Sequence, residues 1–178
     1  MLWRSISPSI TCFLFDRCST ILEDLCGESI SGATLQHACI DAAKQVEPVV
    51  KEVGEALSQA AVAHGYETGF RVEIRLHWLH AVYTSTLIFI HGHAKRGYEA
   101  MEDGGVLSKF HGIFIHDCWK PYWRLACEHA LCKAHIVREL TALEESYEHT
   151  WADKFKMILL EALSEVKEND EGCWLQSG

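Results

Sequence analysis

The amino-acid composition of the chain changes abruptly at residue 61, and this change constrains the fold more than any other feature. The runs AVAHGYETGFRVEI, HWLHAVYTSTLIFIHGH and GIFIHDCW are rich in Val, Ile, Thr, Tyr and Phe, the residue types that favour β-strands. The Gly-punctuated stretch AKRGYEAMEDGGVLSKF separates the second run from the third and predicts one helix with a loop. Three strands in succession, a helix and a further strand predict a mixed α/β sheet.

Helical patterns precede this β-rich region. In CSTILEDLCG the apolar residues recur at spacings of three and four, and Gly27 follows as a C-cap glycine would. Ser31 or Thr34 is a suitable N-cap for a second helix, which we expect to run through Ala43. A further helix is expected after Pro48, in VVKEVGEALSQAAVA. Two or three amphipathic helices therefore make up the N-terminal region.

The chain turns helical again after Tyr122. The stretches HIVRELTALEESYE and TWADKFKMILLEALSEVKEN have helical apolar spacing, whereas the tail EGCWLQSG has no period and is expected to fray. We therefore divide the chain into an N-terminal helical region (1–60), a sheet-containing core (61–142) and a helical segment with its tail (143–178).

Length and composition indicate a globular protein. A chain of 178 residues suits one domain with a helical appendage, and no apolar run approaches the roughly 18 to 20 residues that cross a bilayer. The segment MLWRSISPSITCFLF is too interrupted for a secretory signal, so we expect a cytoplasmic protein without a membrane partner. The eight cysteines, Cys18, Cys26 and Cys39 among them, are then expected to be free, buried thiols.

The net charge limits the partners of the chain. A value of −9 argues against a protein whose whole surface binds nucleic acid, so any nucleic-acid site has to be a local basic patch. The sequence contains no Walker loop and no dinucleotide-binding glycine fingerprint, and no Ser/His/Asp or Cys/His nucleophile pattern stands out. The residue types that remain as candidates for a functional site are metal ligands and carboxylates.

The densest cluster of metal-ligand residue types is CEHALCKAH, which holds Cys127, His129, Cys132 and His135. Thiolate and imidazole are the ligands that zinc prefers. Structural zinc motifs, however, use separated ligand pairs that wrap the ion, and four ligands on one strand or one helix cannot converge. A small zinc-binding structural protein is therefore the weaker alternative, beside a buried Cys132 with His135 one helical turn away.

A single carboxylate, that of Asp117, directly follows the short apolar run GIFIH. In GIFIHDCWKPY, Asp117 is either a turn former before Pro121 or a metal-binding carboxylate presented at a strand end. A two-metal phosphodiester site needs two or three carboxylates around ions about 3.5 to 4 Å apart. The first β-rich run contains HGYETGFRV, which is where a partner carboxylate is expected.

Several segments, taken in order, resemble one protein family. They are LEDLCGESISGATLQHACIDAAKQVEPVV, HGYETGFRVEIRLHWLHAVYTSTL, HAKRGYEAM, FHGIFIHDCWKPYW and CEHALCKAHIVREL, within residues 15–168. In this order they closely resemble the transposases of the insertion sequence 66 family, the first matching the region before the catalytic core. The resemblance implies an RNase H-like mixed sheet and an Asp, Asp, Glu site. It also implies magnesium as the ion, and DNA cleavage and strand transfer at transposon ends.

The resemblance assigns roles residue by residue. Asp117 matches the second aspartate, on the fourth strand, and is the one catalytic and metal residue that it supports. Lys95 and Arg96 match a basic loop suited to DNA phosphate. Cys132 and His135 match a C-x-x-H element with a structural or ordering role. Together these assignments make transposon-end DNA the expected partner.

The chain departs from the family at the first aspartate. Where the family motif reads Asp-Glu-Thr-Gly, this chain begins with Tyr66, and a neutral phenol is a poor magnesium ligand. Consecutive strand residues point to opposite faces, so Glu67 is expected to face away from Asp117 and not to replace the aspartate. In the family the Glu lies beyond a helical insertion, and we expect this chain to end inside or just after that insertion.

We therefore predict a truncated and degenerate transposase copy with an incomplete RNase H-like sheet. It is expected to hold magnesium poorly and to have no transposase activity on its own. The alternative is a non-catalytic binding module that pairs with intact transposase or with transposon ends. A sheet that lacks part of its cover is also expected to expose apolar surface and to self-associate.

Overall fold

The computed structural model describes residues 8–72, 74–147 and 150–168. The stretch EGCWLQSG, predicted to be a frayed tail, lies outside the described residues. Among the helices described, none is both long and apolar enough to span a membrane.

Two long helices precede the sheet, α1 (Pro8–Cys26) and α2 (Gly32–Ser58). Gly27 ends α1 with a φ of +73°, a left-handed conformation that glycine adopts without strain, and its N–H donates to the carbonyl of Glu23 at 2.9 Å. Ser31 caps α2, since its hydroxyl oxygen accepts the N–H of Thr34 at 3.1 Å. The predicted end of the first helix and the predicted cap of the second are therefore confirmed.

The prediction of separate helices ending at Ala43 and beginning after Pro48 is wrong, because α2 continues through Pro48. Proline costs a helix one hydrogen bond and crowds the preceding turn. That cost is tolerated here although valines flank Pro48, because Gly54 and Leu57 at the far end of α2 are buried. Packing at one end thus outweighs a local helix breaker.

Five strands form one mixed sheet in the order β3-β2-β1-β4-β5. They are β1 (Val62–Val72), β2 (Arg75–Tyr83), β3 (Ile88–His93), β4 (Ile113–His116) and β5 (Glu128–Leu131). The first three are antiparallel neighbours, whereas β4 runs parallel to β1 and β5 runs parallel to β4. The predicted α/β fold, a mixed sheet with helices before and after it, is confirmed.

Short helical elements connect the later strands. Helix α3 (Tyr98–Gly104) and a 3₁₀ turn (Leu107–Lys109) lie between β3 and β4, and a second 3₁₀ turn (Lys120–Arg124), here the KPYWR turn, lies between β4 and β5. Helices α4 (Lys133–Tyr147) and α5 (Thr150–Glu168) follow β5. The sequence pattern does not predict β5, because four residues without a β-branched side chain become a strand only by pairing with β4.

One face of the sheet, here the core face, carries the hydrophobic core. Ala63 of β1 lies opposite Phe114 of β4, and both are fully buried. Gly65 follows Ala63 on the same face, where a Cβ atom would lie only 2.1 Å from Cζ of Phe114. The core consists of Leu57, Ala63, Val82, Met101, Val106, Leu107, Phe110, Phe114, Tyr122 and Leu125. The end of α2, α3 and the KPYWR turn therefore meet over this face.

Cys18, Cys26, Cys39, Cys118, Cys127 and Cys132 are free thiols, and none of these six is buried. The expectation of burial is wrong for Cys18 and Cys26, which are exposed, and Cys39 is half-buried. These residues lie on α1 and on the first half of α2, and the residues of these segments whose burial is described do not belong to the buried core. The division of the chain at residues 60 and 142 stays a prediction.

Candidate functional site

Tyr66 and Asp117 come level on neighbouring parallel strands. β1 and β4 pair with His64 opposite Ile115, and two residues further along, this register brings Tyr66 to the level of Asp117, one residue past the end of β4. Residues two apart in a strand point to the same face, so Tyr66 lies on the face opposite the core, here the outer face. Tyr66 is 51% exposed there.

The Asp117 carboxylate also stabilises a turn in the backbone that follows it. Its Oδ1 accepts the N–H of Trp119 at 3.1 Å, an Asx-type turn, and Cys118 between them has a φ of +69°. A positive φ is uncommon for a residue other than glycine. Asp117 is therefore a turn former and a strand-end carboxylate at once, so the two sequence interpretations are compatible.

Glu67 lies on the core face, with its side chain only 1% exposed. Arg96 donates two hydrogen bonds to Oε1 of Glu67, from Nη2 at 2.5 Å and from Nε at 3.1 Å. The hydroxyl of Tyr122 donates to the other oxygen, Oε2. Both carboxylate oxygens are thus occupied, which is what a buried charge requires.

Arg96 is held between two indole rings. Its guanidinium carbon lies 4.7 Å from the ring centre of Trp78 and 4.2 Å from that of Trp119. Each such cation–π contact contributes about 0.5 to 2 kcal/mol, depending on how far the group is removed from water. Trp119 is the residue whose N–H binds Asp117, so stacking and hydrogen bonds connect the Glu67 ion pair to the Asp117 turn.

Tyr122 supplies a neutral donor to this network. Burial, together with the adjacent charge of Glu67 and the hydrogen bond to it, raises the pKa of Tyr122 far above its ordinary value. The phenol therefore stays protonated near neutral pH and donates to Glu67 there.

The Arg96 loop, here the HAKRG loop, joins β3 to α3, and its two basic residues have different surroundings. Lys95 is 68% exposed and pairs with Glu99 at 2.6 Å, a surface contact that holds it only weakly. The side chain of Arg96 is 35% exposed and is committed to Glu67 and to the two tryptophans. Lys95 is therefore available to a ligand, whereas Arg96 fixes the loop.

The comparisons with known proteins agree with the motif order. The family model described as "Transposase IS66 family" matches residues 13–171. This chain belongs to the IS66 transposase family. No curated protein matches it significantly.

Similar solved structures include one chain of a simian T-cell lymphotropic virus intasome in complex with the PP2A regulatory subunit B56 gamma, solved by cryo-EM. The identity is 10% and the TM-score is 0.32, over 56% of this chain and 46% of that chain. The IS66-family chain thus spans less than half of the length of that neighbour, and a likeness at this level supports no argument about function.

The IS66 family implies a divalent metal ion, which needs several carboxylate, imidazole or thiolate ligands close together. In the part of the chain that the structure describes, no three His, Cys, Asp or Glu side chains converge as metal ligands. On the outer face, the residue level with Asp117 is Tyr66, whose side chain is a phenol. Glu67 lies on the opposite face, where it is paired with Arg96. These residues do not fit a pair of magnesium ions, which needs several carboxylates.

The CEHALCKAH segment of the IS66-family chain divides its four ligand residues between different elements. His129 lies on β5, Cys132 lies just past the end of that strand, and His135 lies in the first turn of α4, where its N–H donates to the carbonyl of Cys132 at 3.1 Å. Cys127 packs at the margin of the core. The contact between His135 and Cys132 is a backbone hydrogen bond that other residues could also make, so an ordering role for the side chains of Cys132 and His135 stays a prediction.

His129 instead pairs with His116 of β4, which is fully buried. Nδ1 of His116 accepts the N–H of Cys118 at 3.1 Å, so the proton of His116 is assigned to Nε2, which lies 3.1 Å from Nδ1 of His129. Nε2 of His129 then faces the carbonyl of Leu125 at 3.3 Å. Burial, and then the neighbouring His129, lower the pKa of His116, so the His116 ring is neutral near pH 7.

Sequence reasoning missed the residues that hold this region together. Trp78, Trp119, Tyr122 and the pair His116–His129 were not singled out, because their roles depend on which side chains the sheet register brings together. One signal was present, namely the aromatic-rich run CWKPYW directly after Asp117, which marks a packed turn rather than a solvated loop.

Proposed function

We propose that this chain keeps the transposase scaffold but does not cleave or transfer DNA strands by itself. The observation that supports this is the register of β1 and β4, whose continuation sets Tyr66, a phenol, level with Asp117 just past the end of β4. Two-metal phosphodiester chemistry needs carboxylates from neighbouring strands to bridge the ions. One carboxylate beside a neutral phenol binds a divalent ion weakly and leaves no second ion in place.

Glu67 does not substitute for the absent aspartate in this proposal. Its carboxylate would have to leave Arg96 and Tyr122 and cross to the outer face of the sheet. That movement would leave the Arg96 charge unpaired between its two tryptophans and remove the acceptor of a buried hydroxyl, at a cost of several kcal/mol.

DNA binding remains compatible with the charge of the chain. Residues 61–142 contain nine Lys and Arg against eight Asp and Glu, so the acidic excess of the protein lies outside them. Lys95, Lys120 and Arg124 are exposed in the HAKRG loop and the KPYWR turn, which connect through the stacking of Arg96 on Trp119. We propose that this loop and this turn contact DNA phosphate, with Lys95 as the contact and Arg96 as the residue that holds the loop.

Purified protein tests both parts of the proposal. We expect no cleavage and no strand transfer of cognate transposon ends with magnesium or manganese, and we expect salt-dependent binding of the same DNA. Lys95→Ala should weaken binding and flatten the salt dependence. Lys44→Ala is the matched control, because Lys44 is also 68% exposed and paired with a carboxylate, but lies on α2. Clear turnover, or equal effects of the two substitutions, would contradict the proposal.

The alternative proposal is a binding module that acts on intact transposase. A chain with the same scaffold but without the first aspartate would occupy ends, or pair with active subunits, without reacting. Adding this protein to a strand-transfer reaction of an active family member should then lower the rate in proportion to the amount added. Co-purification of the two proteins would distinguish subunit pairing from competition for DNA.

A further inference from the structure

The strand β3 ends the sheet and has a free backbone edge. It is the last strand in the order β3-β2-β1-β4-β5, and β2 is its one strand neighbour among the described residues. In the hairpin between them, the N–H of Thr84 donates to the carbonyl of Leu87 at 2.9 Å. Backbone groups alternate along antiparallel strands, so the N–H and C=O groups of Ile88, Ile90 and Gly92 point away from β2.

This edge lacks the features by which proteins protect exposed strands. Proline, lysine, acidic side chains and bulges normally block further pairing. The segment LIFIHG (87–92) contains no proline, lysine or acidic residue, and its pairing with β2 is regular from Ile88 to His93. Ile88 is 58% exposed and Ile90 is 55% exposed. The edge is therefore open, apolar and uncharged in a protein whose net charge is −9.

Helix α2 places a second apolar line beside the same edge. Val46, Val49, Val50 and Val53 recur at helical spacing, and the first three are 51%, 58% and 44% exposed. Val49, Val50 and Val53 form a groove of about 280 Å³ together with Ile88, Phe89 and Ile90. Exposed apolar side chains that continue from a strand edge onto a helix are typical of an interface, not of a solvated surface.

We propose that this surface, here the β3 edge, binds the β3 edge of a second copy of the chain. Antiparallel pairing about a two-fold axis at Ile90 would set Ile90 opposite its own copy and Ile88 opposite Gly92 of the partner subunit. The two sheets would then continue into one, and the α2 valines of both copies would meet on the core face. An interface of this kind uses one patch twice, as a two-fold dimer requires.

The absence of charge favours a second copy as the occupant. A surface that carried a net charge would repel its own copy, whereas an uncharged edge pairs with itself without that cost. Pairing also satisfies the outward N–H and C=O groups of three residues in each copy, and it covers the isoleucines and valines. The proposal is independent of catalysis and of DNA binding, since the β3 edge contains neither Asp117 nor Lys95.

Sedimentation velocity across a range of protein concentrations tests the proposal. We expect the wild-type chain to form dimers, and Ile90→Lys to raise the dimer dissociation constant more than about tenfold, because two lysines would face each other at the axis. Ile74→Lys is the matched control, since Ile74 is 88% exposed in the β1–β2 turn, away from β3. Circular dichroism and thermal unfolding check that both variants are folded.

Cross-linking provides a second readout that does not depend on disrupting the interface. Residues opposite each other in a hydrogen-bonded antiparallel pair have Cα atoms about 5.5 Å apart, within the range of a disulfide. Ile90→Cys should therefore form a reducible dimer linked through residue 90, whereas Ile74→Cys should not. A wild-type chain that is monomeric at all concentrations would overturn the proposal. Dimers that persist equally in Ile90→Lys and Ile74→Lys would also overturn it.

Discussion

Arg96 donates two hydrogen bonds, at 2.5 and 3.1 Å, to one oxygen of the buried Glu67 carboxylate, across 29 residues of chain. The other carboxylate oxygen accepts from Tyr122, a further 26 residues beyond Arg96. One acidic side chain on β1 thus fixes both the loop after β3 and the turn after Asp117. Glu67 is thus held in a structural contact, and the position before it carries the exposed phenol of Tyr66.

Removing the charge of Glu67 should destabilise the fold. Glu67→Gln keeps the shape and leaves an acceptor for Tyr122, but it leaves Arg96 unpaired. We expect a loss of about 2 to 3 kcal/mol in the free energy of unfolding, less than for a fully buried pair because Arg96 is partly exposed. Urea unfolding measures it. Glu99→Gln, at an exposed pair with Lys95, is the control and should leave the free energy of unfolding nearly unchanged.

Removing the hydroxyl of Tyr122 isolates a second part of the same network. Tyr122→Phe preserves ring packing but leaves one oxygen of Glu67 without its donor, so we expect a loss of about 1 to 3 kcal/mol. Tyr66→Phe changes the same atoms at an exposed ring and should be nearly neutral. If both substitutions have equal effects in urea unfolding, the hydrogen bond to Glu67 is not a stabilising contact.

Stability should fall in mildly acidic solution because of buried histidines. The pKa of His116 in the folded chain lies below 6.5, chiefly because of burial, and the pKa values of His64, His80 and His91 are lowered in the same direction. Below about pH 6.5 the unfolded chain binds protons that the folded chain does not, so unfolding becomes easier as pH falls. Above about pH 7.5 this contribution to stability is complete and constant.

Urea midpoints measured from about pH 8 down to about pH 5.5 check the direction. His116→Asn should reduce the slope, because the amide oxygen can still accept the N–H of Cys118 but does not titrate. Thr68→Asn, at an exposed position on the outer face, replaces no titratable group and should leave the slope unchanged. A midpoint that is flat over this range would rule out the buried-histidine account.

Much of the fold could be predicted from the sequence because local signals agreed with the final structure. The Val- and Ile-rich runs became β1 to β4, and Gly27 and Ser31 mark helix ends as expected. The pattern failed where long-range packing decided the outcome. Helix α2 runs through Pro48, and β5 is a strand because β4 lies beside it.

The candidate site was predictable only in part, for the same reason. A strand-end aspartate is visible in the sequence, and so is the phenol that replaces its expected partner. The surroundings of Glu67 are not visible, because strand alternation says only that Glu67 faces away from Tyr66. Arg96 and Tyr122 reach it from distant segments, and the two tryptophans beside Arg96 come together only in the folded sheet.

In the proposed function, Tyr66 occupies the place where a metal-binding carboxylate would stand beside Asp117. Manganese binding to Tyr66→Asp, measured by calorimetry or by electron paramagnetic resonance, tests it most directly. We expect the substitution to tighten binding more than about tenfold over the wild-type chain, because two carboxylates on adjacent strands then share an ion. Thr68→Asp, exposed two residues further along the same face, should not do so. Equal manganese binding by Tyr66→Asp and the wild-type chain would contradict the account.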